Sequence, residues 1–229
     1  MKTNKQITRI STQGVEKITD QLAIESEFEL YVNGNQEYSF LCSPENIKYL
    51  VIGYIFVHKK IKSAKNITSF HIKNNKIFVD LISSSTATKP NNHEITFTIA
   101  QILKAMDELN QKGQIFHATG CAHIAGLLNE HDIICHFEDI SRHNAIYKTL
   151  GYAIQHNIPL WSCALLLSCR ITSSVIDMIA ETPLNVLCSQ SAVSSLAVEK
   201  SIKTGKSVLG FIRHNRMSLY TGNHRIIYN

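Results

Sequence analysis

The spacing of apolar residues predicts a small domain of the form ββαββ over residues 21–82. Alternation with a period of two is typical of strands, and a period near 3.6 is typical of a helix. Two strands surround the turn-forming pair Asn33-Gly34, and a second pair turns at Asn74-Asn75. The predicted segments are a hairpin over 27–41, a helix over 43–60 with Ser43 as its N-cap and Pro44 at its first position, and a hairpin over 66–83.

Three further segments surround or follow this domain. Residues 1–20 are polar, which predicts a loosely ordered N-terminus. Residues 83–94 lose all periodicity and carry Pro90, so they predict a linker. Residues 95–113 have one apolar face and predict an amphipathic helix closed by Gly113.

From residue 114 onward, short apolar runs alternate with segments of helical period. The alternation predicts a three-layer α/β domain over 95–229, because nearly continuous apolar runs such as 160–168 suit strands covered on both faces. Gly205 is placed to end the last helix. Strands are predicted at 114–118, 132–137, 160–168, 184–188 and 207–213, and helices at 121–129, 142–156, 172–181 and 193–204.

Composition narrows the class of protein. The net charge of +5 comes from scattered lysines, and even the densest basic run, 58–65, indicates a solvated face rather than nucleic-acid binding. Neither a signal peptide nor an apolar run of membrane-spanning length is expected. The six cysteines lack Cys-x-x-Cys spacing, which favours a reducing cytoplasm.

Polar residues gather at the predicted junctions between strands and helices. The junctions contain small hydroxyl side chains, a glycine, arginines and histidines, and they cover 117–123, 136–144, 168–174 and 188–195. Ligands of open α/β sheets bind beyond the carboxyl ends of the strands, where helix N-termini suit phosphate. The pattern predicts a polar ligand site, with Arg142 and Arg170 available for phosphate or guanine.

The junction 138–143 admits two interpretations. Glu138 and Asp139 suit the start of a helix electrostatically, whereas Arg142 and His143 do not. Either the two acids neutralise the two basic residues in a local ion network, or an anionic ligand does.

Two other chemistries remain open at these junctions. A metal site would use His136 and Glu138 on one strand face, together with His123 or His143. Cys121, one residue into a predicted helix, is a candidate nucleophile with a stabilised thiolate and His123 as its base.

Four segments carry a resemblance to a known family: TGCAHIAGL (119–127), EDISRHNAIYKTLGYAI (138–154), LLLSCRITSSVIDMIAETPLNVLCSQSAVSSLAVEKS (165–201) and LGFIRHNRMSLYT (209–221). They resemble, in order, the motifs of the FdhD family, the formate dehydrogenase accessory sulfurtransferases. Residues 29–56 are similar to the N-terminal region of that family.

The resemblance implies a cytoplasmic homodimer with a cytidine-deaminase-like α/β fold. Such proteins pass sulfur from a cysteine desulfurase to the molybdenum cofactor of formate dehydrogenase, and they bind bis-molybdopterin guanine dinucleotide through its guanine nucleotide ends, which GDP mimics. The resemblance places cofactor binding at Thr119, Gly120, His123, Glu138, Asp139, Arg142, His143, Asn144, Lys148, Ser168, Arg170 and Ser191.

One departure from the family bears directly on activity. The sulfur-carrying Cys-Gly-x-Cys-Gly loop should fall near 83–94, and the chain has no cysteine between Cys42 and Cys121. We therefore expect the protein to bind the cofactor but to have lost sulfur transfer through this loop. Cys121 is the candidate replacement thiol. The alternative is a degenerate paralogue that acts as a nucleotide-binding or protein-interaction module.

Overall fold

A computed structural model of the chain describes residues 2–59, 61–82 and 95–228. The linker predicted over 83–94 lies outside these ranges. Within them, no helix is both long enough and apolar enough to cross a bilayer. The helices are α1 (Ile47–Lys59), α2 (Ile99–Gln111), α3 (Gln114–Thr119), α4 (Arg142–Gln155), α5 (Ser173–Ile179) and α6 (Ser195–Thr204).

The strands form one large sheet, one four-stranded sheet and two strand pairs, which confirms the mixed α/β class. Their bounds are β1 (Lys2–Ser11), β2 (Gly14–Ala23), β3 (Ser26–Val32), β4 (Asn35–Cys42), β5 (Ile67–Lys73), β6 (Lys76–Leu81), β7 (Phe97–Thr98), β8 (His123–Leu128), β9 (Ile133–Asp139), β10 (Ala164–Leu167), β11 (Val186–Ser189), β12 (Ser207–Arg213), β13 (Arg216–Thr221) and β14 (Ile226–Ile227).

The small sheet follows the predicted ββαββ pattern. Its strand order is β4-β3-β6-β5, with β3 and β6 parallel because α1 lies between the two hairpins in the chain. Asn33 and Gly34 have φ values of 49° and 81°, and Asn74 and Asn75 have values of 50° and 59°. Both turns use the left-handed conformations that Asn and Gly tolerate best.

The predicted start of α1 is wrong. The helix begins at Ile47, directly after Asn46 with its left-handed φ of 57°, and the Asn46 carbonyl accepts the first helical hydrogen bond from Leu50. Ser43, predicted as the N-cap, instead uses its main chain to contact Asp139 and Lys148. A tertiary contact therefore takes the place of the local cap.

The N-terminal segment is more regular than its composition suggests. Residues 1–20 were expected to be loosely ordered, whereas β1 and β2 pair antiparallel from Lys2–Ala23 to Ser11–Gly14. Almost every side chain of this hairpin is exposed. Cross-strand pairs and backbone hydrogen bonds hold it together without an apolar core, so hydrophobic spacing carried no signal for it.

Strand order in the large sheet brings several chain segments to one edge. The order is β13-β12-β11-β10-β8-β9, and β8 runs antiparallel to both of its neighbours. Strands β9, β10, β11 and β12 are therefore parallel to one another, although β8 lies between β9 and β10. Their carboxyl ends lie beside the amino end of β8. We call this side of the sheet the carboxyl edge.

Two elements flanking this edge differ from the sequence prediction. Residues 114–118 were expected to be a strand and form α3, while 121–129 were expected to be a helix and contain β8. Short apolar runs are ambiguous between the two structures. The hydrogen bonds of Glu138 hold α3 in place. Gly126 lets β8 lie close to Leu109 and to the carbonyl of Cys135. The helix at α3 and the strand at β8 therefore both depend on contacts with residues distant in sequence.

Most of the remaining helical boundaries lie close to their predicted positions, but α2 starts four residues later than predicted, because Phe97–Thr98 form β7 and Thr98 is the N-cap. Gly205 ends α6 with a left-handed φ of 66°, as predicted. Helix α2 ends at Gln111 with Lys112 as its C-cap, so Gly113 does not close it and lies before α3. Strand β13, absent from the prediction, extends the sheet beyond β12.

One of two apolar clusters joins the small sheet to the large one. Alternate residues of β10 face opposite sides, so that Leu165 and Leu167 belong to the cluster with α1 and α4, while Leu166 belongs to the cluster with α2. The backbones of α1 and α4 are in direct contact at two glycines. A Cβ at Gly53 would lie 1.9 Å from the Tyr147 carbonyl oxygen, and a Cβ at Gly151 would lie 1.9 Å from the Tyr49 carbonyl oxygen. The α1–α4 contact holds the small sheet against the face of the large sheet that α4 covers.

Candidate functional site

All four polar junctions meet at the carboxyl edge. His123, the first residue of β8, pairs with Asp139 at the end of β9. On its other side, Ser168 follows β10 and exchanges two hydrogen bonds with Ile124, one through its hydroxyl (3.0 Å) and one through its own N–H (3.1 Å). The junction after β11 continues the row, because the N–H of Ile171 donates to the Ala192 carbonyl at 3.0 Å.

Glu138 lies on the face of the sheet opposite to His123 and Asp139. Its carboxylate accepts hydrogen bonds from the N–H groups of Ile115 and Phe116, each at 2.9 Å. These are first-turn amides of α3, which a carboxylate satisfies well because they lack partners within the helix. Glu138 therefore holds α3 against β9.

Asp139 is also occupied by a structural contact. Its Oδ2 lies 2.6 Å from Nζ of Lys148, and both side chains are completely buried. Oδ2 accepts from the Ser43 N–H at 3.2 Å, and Oδ1 accepts from the Asn144 amide at 3.2 Å. Lys148 and Asn144 then donate to the carbonyls of Ser43 (3.0 Å) and Leu41 (2.8 Å). We call these five residues the interdomain knot, since they connect β4 and the chain after it to β9 and α4.

With both acids occupied, the basic residues at the edge have no ion pair in the described part of the chain. Burial lowers the pKa of His123 first, and the guanidinium groups of Arg142 and Arg170 lower it further, while Asp139 opposes them. The Nε of Arg142 is buried and has no hydrogen-bond partner among the described residues. Arg142 and Arg170 thus place two positive charges beside the neutral His123, with no carboxylate paired to them among the described residues. We call these three residues the cationic cluster, and their arrangement excludes the local ion network for Arg142.

His143 faces a different neighbour. Its Nε2 lies 3.0 Å from the hydroxyl of Ser174, which in turn lies 3.0 Å from that of Thr172. Burial and then Arg142 lower the pKa of His143, so its neutral form predominates near neutral pH. His143 and Ser174 line one end of a groove of 1510 Å³ between α1, α4 and α5.

The segment 119–121 lies beside the site in a conformation that the sequence did not indicate. Gly120 ends α3 with a left-handed φ of 68°, and the Thr119 hydroxyl bonds the Ile115 carbonyl at 2.7 Å. Cys121 follows the end of α3, so the predicted stabilisation by a helix N-terminus is wrong. Its exposed thiol lines a cavity of 480 Å³ that reaches Ser141 and Asn144.

The other predicted ligands have local roles. Ser191 accepts a hydrogen bond from the Phe211 N–H at 2.9 Å, and its own N–H donates to the Ser189 hydroxyl at 2.9 Å. The proposed metal set does not form in the described residues, because His123 pairs with Asp139 while Glu138 and His136 face the opposite side.

Two residues at the carboxyl edge were not identified as candidates from the sequence. Phe211 and Arg213 lie at the end of β12, where Nε of Arg213 donates to the Gln190 carbonyl at 3.0 Å. Their apolar surroundings predicted only a strand. The irregular pairing of β12 with β13 that exposes them depends on tertiary contacts.

Comparison with known families identifies the class of protein. The FdhD/NarQ family model matches residues 23–93 and 80–227, which is most of the chain. The chain therefore belongs to the FdhD/NarQ family.

Individual relatives agree with this assignment. The chain is 27% identical to a sulfur carrier protein FdhD of Bacillus licheniformis, over 99% of this chain and 98% of that protein. It is 29% identical to a sulfur carrier protein FdhD of Staphylococcus aureus, over 91% and 90% of the two chains. In fold it is similar to a solved formate dehydrogenase accessory protein from Desulfotalea psychrophila, with a TM-score of 0.87, 22% identity and 99% coverage of each chain.

Proposed function

We propose that this protein is a maturation factor for formate dehydrogenase that binds bis-molybdopterin guanine dinucleotide as its cargo. The guanine nucleotide ends of the cargo would bind at the carboxyl edge. The observation that carries this proposal is the cationic cluster, in which the buried Nε of Arg142, beside His123 and Arg170, has no hydrogen-bond partner in the described ranges. Guanidinium groups bind phosphate through two parallel hydrogen bonds, so a diphosphate supplies the missing negative charge.

The remaining predicted residues support the cluster without needing to touch the cargo. The interdomain knot fixes the first turn of α4, which carries Arg142, and Ser168 fixes the strand that carries His123. We therefore expect Arg142 and Arg170 to contribute most of the affinity. Asp139, Asn144 and Lys148 contribute through the geometry of α4.

Titration calorimetry with GDP tests the proposal. The wild type should bind, and Arg142→Ala should weaken binding about tenfold or more, because a hydrogen bond to a charged group is lost together with a charge. Arg9→Ala, on the exposed hairpin, removes the same charge and should leave the affinity within about twofold. A folded wild type that fails to bind GDP would refute nucleotide binding, and equal losses in both variants would refute the assignment of Arg142.

Sulfur transfer through the usual loop is not expected, because the chain has no cysteine between Cys42 and Cys121. Five of the six cysteines are buried, and Cys121 is the exposed one. Burial also raises the pKa of the Cys135 and Cys42 thiols to about 12, which keeps them protonated and unreactive. If a persulfide is carried on a cysteine, Cys121 is therefore the position that can receive the sulfur atom from a donor persulfide.

Thiol labelling tests this assignment. Under native conditions we expect one fast-reacting thiol per chain, and none in Cys121→Ala, while Cys169→Ala should leave the fast phase unchanged because Cys169 is buried. Incubation with a cysteine desulfurase and cysteine should then load sulfur only on Cys121. Unchanged sulfur loading in Cys121→Ala would exclude this residue as a carrier and leave cargo binding as the proposed activity.

Three further properties belong to the same proposal. The partners are formate dehydrogenase and a cysteine desulfurase, and the protein acts as a homodimer in the cytoplasm. All six cysteines are free, which suits a reducing compartment. Co-purification with a formate dehydrogenase would separate this function from that of a degenerate paralogue that binds nucleotides or proteins for another purpose.

A further inference from the structure

Phe211 combines an unfavourable backbone conformation with a side chain that lies partly outside the core. Its φ is 51°, in the left-handed region where a bulky side chain is strained. The side chain is also 40% exposed, so it gains only part of the stabilisation that a buried aromatic ring would give. Strain combined with exposure at one position is more often found at a binding site than in a purely structural turn.

The surrounding chain holds Phe211 in this conformation. The pairing of β12 with β13 is irregular between Gly210 and Arg213. The Phe211 N–H donates to the Ser191 carbonyl at 2.9 Å. A Cβ at position 210 would lie 2.7 Å from the Val193 side chain, so glycine is required for this close approach. The loop after β11 thus fixes the point at which the ring leaves the sheet.

The same loop connects Phe211 to the cationic cluster. Ser191 to Ser194 lie between the end of β10 and the end of β12, since Ile171 bonds Ala192 and Ser194 at 3.0 Å on one side and Ser191 bonds Phe211 on the other. Adjacent strands lie about 4.8 Å apart, which puts Phe211 two strand positions, or about 10 Å, from the strand end that carries Arg170. That separation suits a nucleotide whose phosphates and base occupy the two positions.

Arg213 adds a second reason to expect a ligand here. Its Nε donates to the Gln190 carbonyl at 3.0 Å, while its terminal nitrogens have no partner among the described residues. The side chain is exposed and held along the junction after β11. A guanidinium held in this way can contact a phosphate, ribose or base oxygen without losing much side-chain freedom.

We propose that Phe211 stacks on the heterocyclic base of the nucleotide whose phosphates bind the cationic cluster. This inference rests on the proposed function and assigns the base-binding end of the site. Aromatic stacking tolerates different bases, because each presents a flat π-face, so Phe211 would contribute affinity for nucleotides over simple phosphates.

Calorimetry with GDP and with inorganic pyrophosphate tests the assignment. Phe211→Ala should weaken GDP binding about tenfold and leave pyrophosphate binding within about twofold. Phe211→Trp should retain GDP affinity, because it keeps a stacking ring. Tyr228→Ala, which removes another exposed ring, should change neither affinity.

Phe211→Gly separates binding from strain. Glycine adopts a φ of 51° without strain, so this variant should unfold at a higher denaturant concentration than Phe211→Ala while losing the same GDP affinity. If the wild type binds neither probe, nucleotide binding itself is wrong. If Arg142→Ala weakens GDP binding and Phe211→Ala does not, only the stacking assignment fails. Equal weakening of both probes by Phe211→Ala would also overturn it, since the ring would then act only through the fold.

Discussion

Asp139→Asn should destabilise the folded protein by about 3–5 kcal/mol, the range for breaking a buried ion pair by removing one partner. The substitution leaves the Lys148 ammonium without a counter-charge at a position with no solvent exposure. Neighbouring carbonyls of Ser43 and Glu138 still accept from Nζ, but neutral acceptors do not replace a carboxylate. Because Ser43 precedes α1 and Lys148 lies in α4, the loss should also loosen the small domain.

Urea unfolding followed by circular dichroism measures this effect through the shift in midpoint. The double variant Asp139→Asn/Lys148→Met should recover part of the loss, since no unpaired charge remains buried. Lys200→Met removes the exposed ion pair with Asp177 and should cost no more than about 1 kcal/mol. A loss of that small size in Asp139→Asn would show that the knot is not a principal contact between the domains.

Gly151→Ala should be the second most damaging change, with an expected loss of about 3 kcal/mol. In an isolated helix the substitution would stabilise by about 1 kcal/mol, because alanine has the higher helix propensity. Here the added methyl group would lie 1.9 Å from the Tyr49 carbonyl and 2.7 Å from the Gly53 backbone nitrogen. Two backbones must then separate, which opens the contact between α1 and α4.

Gly205→Ala is the matched control for this prediction. Gly205 also has a special conformation, with a φ of 66°, but no atom of the described residues lies within 4 Å of a Cβ there. Its replacement should cost about 1–2 kcal/mol from backbone strain alone. Both variants can be compared by urea midpoint. A Gly151→Ala protein at least as stable as the wild type would mean that the helices can move apart without loss.

The two turns at Asn33-Gly34 and Asn74-Asn75 show which features can be predicted locally. Each needs left-handed backbone that Asn and Gly supply, so the hairpins follow from two adjacent residues. The C-cap at Gly205 follows for the same reason. In contrast, α3 depends on Glu138, more than twenty residues away, and no local pattern of QIFHAT indicates that contact.

The candidate site divides in the same way. The sequence placed arginines, histidines and small hydroxyls at junctions after strands, because polar residues that interrupt apolar runs are visible without coordinates. Which of them face a ligand could not be predicted. Glu138 and Asp139 are adjacent in the chain, and adjacent residues of a strand face opposite sides of the sheet. Glu138 therefore contacts the amides of α3, while Asp139 contacts Lys148. Phe211 became a candidate only through its backbone conformation.

The sequence by itself therefore determined the α/β class, most strands and helices, the absence of the usual cysteine loop and the polar character of one sheet edge. These properties depend on residue type and short-range spacing. The tertiary structure decided the antiparallel course of β8, the approach of α1 to α4 through two glycines, and the occupation of both acids by structural contacts. Those outcomes depend on which distant groups satisfy each buried charge and backbone amide, and this is why the buried Nε of Arg142 has no hydrogen-bond partner among the residues that the structure describes.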